Sequence, residues 1–245
     1  MDVSVDSLPA LTPEYQQAQQ QAVQDAKVIY QFEVVKVPPI DYWAISIWVA
    51  TAVLLLWLGS LIGWVGIVLF SILVFALSSY YYYAGNPDIK QTVTLTEKGI
   101  IVTDLTLVPD ACFAALRYSG YAGIAISIIG VVLVGPMMFV GAGAGLLMSF
   151  KMAGVVNRPK QQVLPFNSLL SYEFYIAPAI KYKNNLVQWH MSPMIEMDHD
   201  EDDEEARNLY RSNRNFYFLY FAASYEEQAR IVKHLAPFLN VVEEE

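Results

Sequence analysis

Two stretches of this chain carry no charge at all, Tyr42 to Pro87 and Tyr118 to Phe150. Lipid cannot solvate a free charge or an unpaired backbone amide, so a run of this kind constrains a fold more than any other feature. A helix crossing a hydrocarbon core about 30 Å thick needs roughly 20 apolar residues. The first run is long enough for two such helices, and the second is too long for one upright span and short for two. Charged residues make up 16% of the chain, against about 25% in ordinary soluble domains, and the deficit lies in these two runs.

The first run predicts a transmembrane hairpin over 42–84. One span covers 43–62, with Trp43, Trp48 and Trp57 along it, and the chain turns near Gly59 to Gly63. A second span from Trp64 ends in Tyr80-Tyr81-Tyr82-Tyr83, an aromatic belt suited to the headgroup layer. Residues 111–156 form the second membrane segment, either a Gly-rich hairpin or a re-entrant pair of half-helices. Gly120, Gly123, Gly141 and Gly145 are its expected helix-packing positions, the last two at GxxxG spacing. No acidic or basic residue sits at the middle of any span, which argues against ion-coupled transport.

The remaining segments are polar and mixed. Residues 1–41 read as a polar tail, a helix from Pro13 to about Lys27 capped by Thr12, and a β-rich stretch over 28–37 closed by Pro38-Pro39. Ala18, Ala22 and Ala26 form that helix's apolar stripe. Residues 85–110 hold a hairpin, Gln91 to Thr96 and Ile100 to Asp104, joined at Glu97-Lys98-Gly99. Residues 157–245 supply further strands at 162–165, 169–176, 186–191 and 216–222. Ser224-Tyr225-Glu226-Glu227 then opens a last helix, reaching Leu239 or stopping a turn earlier at Pro237.

An isolated two-stranded hairpin is marginal in water, so 91–104 must pair with strands beyond residue 160. The two segments therefore share one side of the membrane. Lys90, Lys151, Arg158 and Lys160 flank the spans, whereas the loop between spans one and two has no basic residue. Basic residues beside spans stay in the cytoplasm. The expected localisation is thus a multi-pass protein of the cell membrane, with termini and α+β domain cytoplasmic.

The order of motifs carries a resemblance. Val93 to Val102 reads VTLTEKGIIV, and Val163-Leu164-Pro165-Phe166-Asn167-Ser168-Leu169 leads into Tyr172-Glu173-Phe174 before a final strand and capped helix. This resembles bacterial inner-membrane proteins with pleckstrin-homology-like (PH-like) domains. The resemblance implies a cytoplasmic α+β domain, an antiparallel bent sheet closed by a C-terminal helix, with the second membrane segment inserted between early strands. It also implies a tethered interaction domain without catalysis.

Candidate chemistry is sparse. Asp198 to Glu205 holds seven acids and His199, a solvated loop or a divalent-cation site without EF-hand spacing. His190, His199 and His234 have no metal-ligand spacing, and the lone Cys112 has no disulfide partner. Arg207, Arg211 and Arg214 follow the acidic run, as contacts for a partner or lipid headgroups or as partners of the neighbouring acids. A net charge of −9 argues against nucleic acid. No cofactor, metal or catalytic residue is expected. The expected function is a non-enzymatic membrane scaffold or accessory subunit, its partners membrane lipids and other membrane or cytoplasmic proteins. The alternatives are an oligomeric pore built from the Gly-rich segments and a lipid-modifying enzyme.

Overall fold

The structure is a computed structural model that describes residues 3–135, 138–196 and 204–243; among these, the side chains of 134, 138–144, 177–180 and 243 are not described. The chain divides into two compact units. One holds 1–39, 89–105 and 159–245, the other 40–88 and 106–158.

The first unit is built on two sheets. A four-stranded antiparallel sheet runs β2 (Val28–Lys36), β3 (Ile89–Thr96), β4 (Gly99–Thr106), β5 (Lys160–Pro165). Its β3–β4 turn is closed by one side chain. The Thr96 hydroxyl donates to the Gly99 carbonyl and accepts from the Gly99 amide, at 2.9 and 3.1 Å. The second sheet orders β1 (Val3–Ser4), β7 (Val187–Glu196), β6 (Ser171–Lys181) and β9 (Asn240–Glu243), with β8 (Leu219–Ala223) also on β7. Two of its pairings are parallel, β1 with β7 and β6 with β9. The expected single antiparallel sheet closed by a terminal helix is therefore two sheets here, and a strand follows the last helix, α7 (Tyr225–Leu235). That helix starts as expected, its Ser224 hydroxyl accepting from the Glu227 amide. It stops before Pro237.

The two sheets share one core. Val93, Leu95, Ile100 and Val102 from the first lie in one buried cluster with Phe174, Trp189, Met191 and Phe221 from the second. Period-two alternation places them there. Helix α1 (Pro13–Gln24) is capped by Thr12, as its sequence requires. It buries Val23, with Ala22 and Ala26 half-buried beside it and Ala18 exposed, so the alanine stripe faces the core only in part. Val23 reaches the sheet because Gly99 has no side chain. A Cβ there would lie 2.7 Å from Val23 Cγ2 and 2.5 Å from the Leu164 carbonyl oxygen.

Strand register has a consequence for connectivity. Lys36 pairs with Ile89, and Asp104 with Lys160. All four points at which the chain passes between the four-stranded sheet and its two helical connections therefore lie at the same end of it. The 37–88 and 107–159 connections both begin and finish there.

Those connections make up the second unit, which is helical: α2 (Tyr42–Leu61), α3 (Trp64–Ala84), α4 (Asp110–Val134) and α5 (Met138–Ala153). Three of these, α2, α3 and the α4 stretch Asp110–Leu133, are long and apolar enough to cross a membrane. At 1.5 Å per residue the 16 residues of α5 reach only about 24 Å. Gly63 and Gly135 turn the chain between helices at φ +93° and +90°, backbone that favours glycine. Helices α2 and α3 touch backbone to backbone, a Cβ on Gly59 falling 2.9 Å from the Gly66 carbonyl oxygen. Toward the other end Trp48 stacks on Tyr81, and its Nε1 donates to the Ser78 hydroxyl at 3.2 Å.

Of the four expected packing glycines, Gly120 and Gly123 sit where α4 meets α5. A Cβ on Gly120 would lie 2.6 Å from the Ala153 amide nitrogen, and one on Gly123 would strike Ser149. Gly145 has open space around it, and the surroundings of Gly141 lie outside the described residues. Gly120→Val should therefore lower the melting temperature of the purified protein, at a cost of about 1–3 kcal/mol for overpacking. Gly145→Val should leave it nearly unchanged, and equal effects from the two would contradict this packing.

Candidate functional site

Residues 204–216 form helix α6 (Glu204–Phe216), which the sequence supports at both ends. Glu204 and Glu205 occupy the first turn and Arg214 the last, the signs that a helix dipole favours. The helix is strongly amphipathic. Ala206 and Asn213 are buried, while Arg207, Arg211 and Arg214 are exposed at positions i, i+4 and i+7 on one stripe. Arg214 Nε donates to the Ser192 hydroxyl of β7 at 3.2 Å, which ties the end of the helix to the sheet.

The sheet under it carries a row of rings. Tyr175 of β6 pairs with His190 of β7, and His190 with Tyr220 of β8. These side chains share the face opposite the core, since Phe174, Trp189 and Phe221 alternate with them. His190 lies edge to face with Tyr175 at 5.3 Å and with Phe218 at 5.1 Å. Partial burial among these rings holds its imidazole below the usual histidine range and favours the neutral form. Where α6 meets the row there is a cleft of about 330 Å³, lined by Tyr175, Tyr210, Arg211, Arg214, Asn215 and Phe218. Guanidinium forks, phenols and one carboxamide converge in it.

A second polar cluster lies at the sheet end from which the helical connections leave. Lys36, 6% exposed, places its Nζ 2.8 Å from Asp104 Oδ2. The other Asp104 oxygen accepts from Gln91 Nε2 at 2.7 Å, and Gln91 Oε1 accepts from the Ala222 amide of β8 at 2.7 Å. The chain of bonds thus runs from β2 through β4 and β3 to the second sheet. Tyr220 donates to Gln162 beside it, and its phenol is raised first by burial and then by the Asp104 charge. Neither Lys36 nor Gln91 stood out in the sequence. The one available signal was a lysine closing a β-rich stretch whose register with Asp104 only the folded sheet defines.

The other expectations fall as follows. His234 stacks on Tyr30 at 4.7 Å, in the packing of α7 on β2. Cys112 is buried and unpaired in α4. The acidic run beyond its last two residues, with His199, lies outside the described residues. Among the described residues no group of three metal-ligating side chains comes together.

The chain's ancestry is specific. The chain belongs to the TsiV2 immunity protein family, whose model matches residues 14–243. A stretch of 85 residues is 35% identical to the immunity protein TsiV2 of Vibrio cholerae serotype O1 (strain El Tor Inaba N16961). The match takes in 35% of this chain and 34% of that protein, so it spans about a third of the relative's length. No solved structure matches the chain.

This membership corrects several expectations. The chain is not a member of the PH-like family, because the immunity family accounts for nearly all of its length. The residues behind that resemblance have a local cause: Thr96 and Gly99 close a tight turn, as Thr and Gly do in unrelated hairpins. The scaffold, pore and lipid-enzyme readings fall with it, and so do the descriptors attached to them. The family is not one of enzymes, and immunity proteins act by binding a partner protein. Lipid as a recognised partner has no support from the family.

The Lys36–Asp104 pair offers a stability test. Asp104→Leu strands a buried ammonium and should cost about 2–3 kcal/mol, less than for a fully enclosed pair because Asp104 keeps some water. Adding Lys36→Met should recover much of that loss in thermal melts. A double variant as unstable as the sum of its singles would contradict the pairing.

Proposed function

We propose that this chain protects the cell that makes it by binding and neutralising a toxin, and that it does so from the cytoplasmic membrane. The family match over residues 14–243 carries the first half of this reading. A protein that acts by contact needs surface rather than a reaction centre, and α6 with the outer face of β6–β8 supplies one.

The membrane half rests on α2, α3 and α4, three helices of suitable length and composition. It is supported by the sheet register. Both helical connections start and finish at one end of the four-stranded sheet, so each must return to the side from which it leaves. An α2–α3 hairpin meets that condition. So does α4 followed by α5, with the shorter α5 completed by its flanking residues or by local thinning of the bilayer. Lys90, Lys151, Arg158 and Lys160 lie near these departures, and the Ile62-Gly63 turn between α2 and α3 has no basic residue. This asymmetry favours a cytoplasmic location for the sheets.

Deleting the gene should leave its own strain open to killing by sister cells that keep toxin and immunity protein. A plasmid copy should restore survival in mixed culture. Equal survival with and without the gene would contradict the immunity reading.

A further inference from the structure

We propose that the cleft between α6 and the outer face of β6–β7 is a docking site for an acidic, carboxylate-bearing segment of the partner protein. The proposal rests on the immunity reading for the existence of such a partner, and on this chain's own geometry for the segment's chemistry.

Local charge inverts the global one. The chain carries a net charge of −9, yet α6 exposes Arg207, Arg211 and Arg214 on one stripe. Among the described residues no carboxylate forms an ion pair with any of these three arginines. Fixed guanidiniums in an otherwise acidic surface attract a carboxylate while the remainder of the surface repels an acidic chain, which favours one register of docking.

The cleft adds shape. Its 330 Å³ admits one or two side chains and is too small for a helix. Arg211 and Arg214 line it together with Tyr175, Tyr210 and Phe218. Arg and Tyr are the residues most enriched where interface energy concentrates. A guanidinium fork matches a carboxylate with two parallel bonds, a geometry that lysine does not offer. Arg214 is held by Ser192, so part of its ordering cost is met before binding. The rings form a floor against which an apolar neighbour of the acidic residue can lie. Residues 197–203 lie outside the described part of the chain and form no part of the site.

The test uses the full chain in phosphatidylcholine nanodiscs and two fluorescent probes, the peptide Glu-Asp-Leu-Glu-Asp and its basic counterpart Lys-Arg-Leu-Lys-Arg. The acidic peptide should bind saturably and weaken as salt is added. Arg211→Glu with Arg214→Glu should weaken it at least about tenfold, the size expected at an interface hot spot. The same double variant should gain the basic peptide, a reversal that misfolding cannot produce. Arg207→Glu, outside the cleft lining, should have a smaller effect.

Failure of the acidic peptide to bind overturns the proposal, including the case in which the chain's own acidic run fills the cleft. So does binding to phosphatidylglycerol vesicles that is lost in the double variant while the peptide is ignored, since the cleft would then serve lipid. Strain protection without peptide binding refutes the cleft alone. Peptide binding without strain protection refutes the immunity reading alone.

Discussion

The antiparallel pairing of β2 with β3 and of β4 with β5 is the constraint on which the remaining structure depends. Each pair is interrupted in sequence by a long helical connection, and each is nevertheless in register beside that connection, Lys36 against Ile89 and Asp104 against Lys160, with β2 and β3 shifting register only between Val28 and Tyr30 at the far end. Two helical segments that could have separated the chain into independent pieces are thereby returned to one sheet. The Lys36–Asp104–Gln91 cluster, in which Lys36 and Gln91 are buried, sits at that same end and reaches the Ala222 amide of the second sheet. Its polar groups satisfy one another where the chain repeatedly enters and leaves, the place at which an unpaired group would be most costly.

Much of this framework was legible because it depends on local rules. The first uncharged run lies in α2 and α3 and the second in α4 and α5, and the Thr12 and Ser224 caps start the helices they were expected to start. The Glu97-Lys98 hairpin turn is likewise where its residues place it. What local rules do not encode is long-range pairing. The parallel contacts of β1 with β7 and of β9 with β6 join residues far apart in sequence, and nothing in a two-residue strand such as Val3–Ser4 signals its partner. Helix α6 was recognisable only in part. Its arginine spacing fits a helix, but a strand was expected to begin at Phe216, which is its last residue. Apolar periodicity over so few residues serves either structure.

The surface was less legible than the scaffold. Arg207, Arg211 and Arg214 stood out as a cluster, yet their setting depends on strand register. Tyr175, His190 and Tyr220 are dispersed over 45 positions and meet only across β6, β7 and β8. The PH-like resemblance failed for the converse reason. Its motifs were turn and strand-start residues, which recur wherever the same backbone geometry is needed. Descent is visible in longer stretches, in the match to residues 14–243 and in the 85 residues shared with the Vibrio cholerae protein.

The membrane reading turns on the second helical connection returning to the side of the bilayer from which it leaves. Single cysteines placed at Glu97 and at Ser212, in a chain carrying Cys112→Ser, test this directly with a membrane-impermeant maleimide. Both should react in inverted vesicles and neither in intact spheroplasts, because both belong to the unit that the paired strands hold together. Labelling of either site from outside intact spheroplasts would contradict it.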